Sequence, residues 1–238
     1  MLTSSRIVAV FGATGTQGLS VVQTLLADGT FIPRAITRNC SSEKALKLKT
    51  LDAEVAQADL WDIDSLKQAL SDVEAVYGYV TDDYDPKNFA QGHNSEMLFG
   101  KNLVDAAKAT GVKYFIWSSL PHCTRVSNGK YANVYHLDKS SIPHSILYTG
   151  KQFSIFSFLE NLWRYNTLAH VPDSDRLELT VARYNAQTPQ YFTWVERDLG
   201  RCALALLKHY KDPQSEVLSR TFYAVSAKLN YTQLASIL

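Results

Sequence analysis

The stretch from Arg6 to Gly29 reads RIVAVFGATGTQGLSVVQTLLADG. Ile7 to Val10 is a short apolar run leading to a glycine, and the residues after it place Val21, Val22, Leu25 and Leu26 on one helical face before Asp28 and Gly29 stop the helix. The order is strand, turn, helix. Gly12, Gly15 and Gly18 fall in the turn with GxxGxxG spacing. Each glycine in such a turn meets a separate need, namely a bend without a Cβ, a close backbone approach to a pyrophosphate, and tight helix-to-strand packing. The N–H groups of the helix start face the phosphates. Glycine spacing alone is a weak signal, but a strand before it and a helix after it are the context the motif requires. A dinucleotide site is therefore expected here in preference to a purely structural turn.

The same alternation continues along the chain. Phe31 to Thr37 reads as a second strand, and SSEKALKLKTL (41–51) as a helix capped by Ser41 or Ser42 with Glu43 in its first turn. AEVAQA (53–58) is a third strand, DIDSLKQALSD (62–72) a capped helix and EAVYGYV (74–80) a fourth strand. A long helix is predicted from about Asn88 to Thr110, ending at Gly111, then a fifth strand in VKYFIWSSL (112–120) and a sixth in PHSILYTG (143–150). This order predicts an α/β fold: a Rossmann-type, doubly wound parallel sheet covered on both faces.

The end of the second strand bears on which dinucleotide is bound. A chain selective for NAD commonly carries an acid there, on the ribose 2′-hydroxyl. This one reads Thr37-Arg38-Asn39, and an arginine pairs with a 2′-phosphate. NADP(H) is the cofactor expected. Asp59 and Leu60 follow the third strand, where a carboxylate either holds the adenine amino group or serves the start of the next helix.

Composition narrows the remaining classes. The 238 residues carry a net charge of +1 with acids and bases mixed, so direct nucleic-acid binding is not expected. Cys40, Cys123 and Cys202 are far apart and lack metal or redox spacing, which fits a reducing compartment. The six histidines show no metal-ligand spacing, and no metal is expected. No apolar run approaches the ~20 residues of a membrane span, and no leader precedes Arg6, so a cytoplasmic or nuclear location without membrane association is the expectation.

VFGATGTQG (10–18), AITRN (35–39), ADLWDIDSL (58–66), WSSL (117–120) and HLDKS (136–140) together resemble the NmrA-like family, an atypical branch of the short-chain dehydrogenase/reductases. The resemblance covers Arg6 to about Leu234. It implies an NADP(H)-binding Rossmann domain over 1–150 and a smaller, cleft-forming α+β region over 151–238, partly interleaved with the sheet. It also implies a redox sensor or regulatory partner, acting through a protein partner or self-association without clear turnover. The alternative is an NADPH-dependent oxidoreductase acting on a quinone, enone or similar small molecule. Carried over residue by residue, Gly12, Thr14, Gly15, Thr16, Gln17 and Gly18 match the phosphate turn, and Thr37 and Arg38 the 2′-phosphate contact. Val80, Thr81, Ser118, Ser119 and Lys139 match the nicotinamide half, and Asn161 in FSFLENL (156–162) faces the cleft.

A short-chain dehydrogenase needs a tyrosine to protonate the substrate oxygen, a lysine to lower its pKa and a serine to polarise the substrate. Tyr135 and Lys139 stand at YxxxK spacing, with Ser118 or Ser119 at the end of the preceding strand. The family usually reads H-x-D-x-K here, whereas His136-Leu137-Asp138 runs directly into Lys139. Relatives also place a helix between this lysine and the next strand, and here only Ser140 to Ile142 intervene, so a difficult crossover is expected. This irregular register favours the sensor. Further on, Ala203, Leu206 and Leu207 form an apolar helical face suited to the core, RTFYAVS (220–226) reads as a late strand, and Phe153, Phe156, Phe158 and Trp163 suit either a cleft wall or partner surface or plain core. Asn128-Gly129 marks a turn in the polar loop from Pro121 to His136, which a dinucleotide would order.

Overall fold

The computed structural model describes residues 6–80, 95–119, 128–130, 144–148, 159–164, 167–180 and 185–237. β1 (Ile7–Val10) leads through the glycine turn into α1 (Thr16–Asp28), β2 (Ile32–Thr37), α2 (Glu43–Thr50), β3 (Glu54–Gln57), α3 (Ile63–Ala69) and β4 (Val73–Gly78). α4 (Ser95–Ala109), β5 (Tyr114–Ser119) and β6 (His144–Tyr148) follow. The cap expectations hold: Ser42 Oγ accepts the Ala45 N–H at the start of α2, and Asp62 caps α3. The part of the long helix expected before Ser95 lies outside the described residues.

The main sheet has the order β10-β6-β5-β4-β1-β2-β3, with every pairing parallel. Its edge strand beside β6, β10 (Thr221–Tyr223), comes from the late stretch read as a strand. The chain lays β2 and β3 on one side of β1 and β4 onward on the other, so the direction of winding reverses between β1 and β4. In sheets of this class the crevice beyond the strand ends at that point is where ligands bind.

Strand alternation divides the interior in two. Val8, Val10, Ala75, Tyr77, Tyr114 and Ile116 join the core shared with α1 and α6 (Gly200–His209), while Ile7, Ala9, Val76 and Phe115 join the core shared with α3 and α4. Ala203, Leu206 and Leu207 are buried in the first core, as their spacing suggests. Leu162, Leu168, Phe192, Tyr231 and Leu234 form a third, smaller core. It gathers α5 (Leu159–Arg164), β7 (Leu168–His170), β8 (Leu177–Leu179), β9 (Gln190–Phe192) and α7 (Tyr231–Ile237), with β9 antiparallel to β11 (Ala227–Leu229) and β7 to β8.

The crossover into β6 corrects the expectation drawn from Lys139. β6 pairs in parallel with β5 from Phe115–His144 to Ser119–Tyr148. The connection is the whole of residues 120–143, not the three residues after Lys139, and a parallel return needs about a dozen. Within that stretch the expected turn is present, with φ of +51° at Asn128 and +85° at Gly129.

At the start of the central strands, Arg6 holds both carboxylate oxygens of Glu74, with Nε at 3.1 and 3.0 Å and Nη2 at 2.7 Å from Oε1. The Tyr210 hydroxyl donates to the same Oε1 at 2.6 Å, and Lys211 Nζ lies 2.9 Å away. Tyr210 also stacks on Tyr114 with centroids 4.5 Å apart. This cluster ties the start of β1, β4 and the end of α6 together. Among the described residues no helix is long and apolar enough to cross a membrane.

Candidate dinucleotide site

β1 ends at Val10, and the Phe11 N–H donates to the Tyr77 carbonyl at 3.0 Å before the chain turns. Gly12 has a φ of +65°, a left-handed conformation that side chains with a Cβ resist. A Cβ there would also lie 2.7 Å from Cδ1 of Tyr79. The Gly15 N–H closes the turn on the Gly12 carbonyl at 2.9 Å. Gly18 packs on that same peptide, where a Cβ would stand 2.5 Å from the Gly12 carbonyl carbon and 2.7 Å from Cα of Ala13. Gly15 is different. It is exposed, and among the described residues a Cβ on it would meet only the Gly12 oxygen, at 3.4 Å.

Gly15 is the N-cap of α1. It offers no side-chain acceptor to the first N–H groups, and the first turn contains no acid. A helix start of this kind presents unpartnered donors and the positive end of the helix dipole. It stands beside the crevice between β1 and β4, and the open space at Gly15 is what the approach of a pyrophosphate requires, so the residues present fit a dinucleotide. Thr14 and Thr16 are half-buried on either side.

Gln17 turns inward and is buried. Its Oε1 accepts the Tyr77 hydroxyl at 3.1 Å and the Ser118 hydroxyl at 2.8 Å. Ser118 is buried at the end of β5, while Ser119, on the opposite face by strand alternation, is half-buried. Burial pushes the Tyr77 phenol far above the ordinary tyrosine range, against a smaller opposing effect of Ser118, so Tyr77 remains a neutral donor.

Arg38 follows β2 directly. It is exposed, and no described residue pairs with it. The loop carrying it is well held: the Asn39 N–H donates to Thr37 Oγ1 at 3.3 Å, the Ser41 N–H to Asn39 Oδ1 at 2.9 Å, and the Ser42 hydroxyl to the Asn39 carbonyl at 3.0 Å. An anion reaching this loop would find a guanidinium with no rival among the described residues.

Of the two roles open to Asp59, the geometry displays the one at the helix start. Its Oδ1 accepts the Trp61 N–H at 3.0 Å, and its backbone N–H donates to Ser65 Oγ at 3.0 Å. The Leu60 carbonyl accepts Asn102 Nδ2 at 2.9 Å, and Val80 is buried in the second core. Thr81, Tyr135, Lys139, Cys123, Phe153, Phe156 and Phe158, with the side chain of Asn161, lie outside the described residues. Trp163 is exposed on α5. Among the described residues no three His, Cys, Asp or Glu side chains gather as metal ligands.

Sequence reasoning missed Tyr77 and Tyr79. Both lie in EAVYGYV, where an aromatic in an apolar strand reads as core, and nothing local marks Tyr77 as the partner of a glutamine 60 residues earlier.

The NmrA-like family profile matches residues 4–238. Among curated proteins, an NmrA-like family domain-containing oxidoreductase of Aspergillus campestris, cpsB, is 32% identical over 215 residues, covering 83% of this chain and 62% of that protein. A second such oxidoreductase, hkm9 of Aspergillus hancockii, is 34% identical over 164 residues, covering 68% and 48%. The chain thus spans about half to three fifths of the length of these relatives. Among solved structures, NmrA, a negative transcriptional regulator in complex with NADP, superposes with a TM-score of 0.73 at 20% identity, covering 98% of this chain and 70% of that one. Triphenylmethane reductase of Citrobacter sp., complexed with NADP(H), gives 0.64 at 21% identity, covering 98% and 74%. At these identities the likeness is one of fold.

Proposed function

The chain belongs to the NmrA-like family, and from that premise we propose that it binds NADP(H) and is an NADPH-dependent oxidoreductase acting on a quinone, enone or similar small molecule. The observation that carries the proposal is the uncapped start of α1 at Gly15, open to a pyrophosphate at the point where the sheet reverses its winding. The relatives named as oxidoreductases support turnover over sensing alone.

In this reading residues 1–150 hold the dinucleotide and 151–238 contribute the smaller wall of the substrate cleft. The N–H groups of Thr16, Gln17 and Gly18 face the pyrophosphate, Arg38 takes the 2′-phosphate, and Val80, Thr81, Ser118 and Ser119 border the nicotinamide. When bound, NADPH supplies a hydride. Tyr135 gives its phenolic proton to the substrate oxygen, and Lys139 lowers the pKa of that phenol by its charge. Steady NADPH oxidation with a quinone and enone panel, lost in Tyr135→Phe and in Lys139→Ala, is the expected result; tight NADPH binding without turnover across the panel would overturn it.

A second reading is a cytoplasmic or nuclear redox sensor that reports NADP(H) to a protein partner or a second copy. It draws on the Ser118 hydroxyl, which is buried and already donated to Gln17. NADP(H)-dependent change in self-association, measured by sedimentation in the absence of turnover, would favour it.

A further inference from the structure

Gln17 leaves the first turn of α1 toward the protein interior with only 8% of its surface exposed. One amide oxygen there receives two hydroxyl protons, from Tyr77 on β4 and Ser118 on β5, at 3.1 and 2.8 Å. The two donors are 60 and 101 residues away in sequence, so the contact joins the first turn of α1 to the ends of two interior strands. Buried hydrogen bonds of this kind hold their geometry firmly, because an unmet polar atom there is costly.

The bond also decides what Ser118 has left to offer. A serine hydroxyl has one proton and two lone pairs. With its proton on Gln17, Ser118 Oγ accepts and does not donate. The serine of a short-chain dehydrogenase polarises a substrate carbonyl by donating to it, and Ser118 in this arrangement is unsuited to that role. A lone pair of Ser118 Oγ suits a ligand N–H, and the carboxamide of a nicotinamide is a group of that chemistry.

We propose that Gln17 is a positioning residue for the nicotinamide half of the dinucleotide: it fixes the first turn of α1 to the ends of β4 and β5 and turns Ser118 into an acceptor for the carboxamide N–H. This rests on the cofactor reading above and assigns to Ser118 a part different from substrate polarisation. Gln17 is thus the link between the phosphate turn and the nicotinamide site, acting through its side chain, while its backbone N–H serves the phosphates.

The experiment compares NADPH with 2′-phospho-ADP-ribose, which keeps the phosphates and lacks the nicotinamide, on wild type, Gln17→Met, Ser118→Ala and the double variant. Gln17→Met preserves length and helix propensity while removing the acceptor. Each single variant is expected to lose NADPH affinity about tenfold, the size of one good hydrogen bond; 2′-phospho-ADP-ribose affinity should be unchanged in Ser118→Ala and should fall clearly less than NADPH affinity in Gln17→Met. The double variant should lose no more than the worse single one. An equal loss for both ligands in Gln17→Met would make Gln17 merely structural and overturn the proposal. Should Gln17→Met fail to fold, Ser118→Ala decides alone, and an unchanged ratio of the two affinities overturns it. Wild type binding neither ligand would instead remove the cofactor reading itself.

Discussion

Gly200 is bonded to Ser20 across the two helices that cover one face of the sheet: the Gly200 N–H donates to Ser20 Oγ at 3.1 Å, and that hydroxyl donates onward to the Val195 carbonyl at 2.7 Å. The wide π-helical turn from Val195 to Leu199 brings its carbonyls to Ser20, and α6 begins only after it. A Cβ on Gly200 would overlap Thr24 Oγ1 and the Ser20 carbonyl. Two effects then compete in Gly200→Ala. Helix propensity favours alanine by about 1 kcal/mol, and the clash with backbone forces α6 off α1 at a cost of about 2–3 kcal/mol. The clash wins, so the urea midpoint should fall; an unchanged or raised midpoint would show that α6 can shift freely.

Glu74 predicts an acid-dependent loss of stability. Burial pushes its carboxyl up, but hydrogen bonds from Arg6, Tyr210 and Lys211 outweigh burial and hold it at about 2, against an ordinary 4.5. The unfolded chain therefore takes up the proton first as pH falls. The contribution is complete above 4.5 and is lost as pH drops toward 2. Reduced by solvent screening of its part-exposed partners, it amounts to about 1–2 kcal/mol at neutral pH. Glu74→Gln should lower the urea midpoint at about pH 6 and narrow the gap between wild type and variant at about pH 3. Parallel curves for the two proteins across that range would mean that Glu74 is not held by its cluster.

These two sites also mark how far the sequence can be read. The glycine turn, the first five strands and the caps at Ser42 and Asp62 are legible because each is set by residues within a few positions of one another. Arg38 is legible as a cation at a strand end. The bond from Gly200 to Ser20 spans 180 residues, and no local pattern announces it. The same holds for Tyr77 with Gln17, and for β10, whose place beside β6 depends on the whole sheet. The crossover into β6 reads as too short when its length is counted from Lys139, because the connection starts at the end of β5. Asp59 leaves two roles open, and only the observed bond to the Trp61 N–H displays one of them.

Arg38 should set the preference between the two dinucleotides. It is exposed, its loop is anchored by Thr37, Asn39 and Ser42, and no described carboxylate competes for it. A charge-assisted contact to a 2′-phosphate contributes about 1.5–3 kcal/mol. Titration calorimetry on Arg38→Ala should therefore show NADPH affinity down about 10- to 100-fold with NADH affinity unchanged. Rising salt should weaken NADPH binding in wild type more than in the variant. Equal affinities for NADPH and NADH in wild type would remove Arg38 from the site.

The three glycines of the turn should separate folding from binding. Gly18 faces backbone, with the Gly12 carbonyl carbon 2.5 Å and Ala13 Cα 2.7 Å from where a Cβ would stand, so Gly18→Ala must push α1 away from the turn. Gly12→Ala meets both a φ of +65° and the Tyr79 ring. Both variants should unfold at lower urea, by about 1–3 kcal/mol. Gly15 has φ −103° and ψ 172°, an ordinary extended conformation, and open space ahead of it. Gly15→Ala should therefore keep its stability within about 1 kcal/mol. Its methyl group nonetheless stands where the pyrophosphate must approach the backbone. The expected outcome is a fully folded Gly15→Ala protein, judged by far-UV dichroism and its urea midpoint, that binds NADPH at least about tenfold more weakly than wild type. A folded Gly15→Ala protein with wild-type NADPH affinity would mean that the opening at Gly15 is not where the phosphates sit.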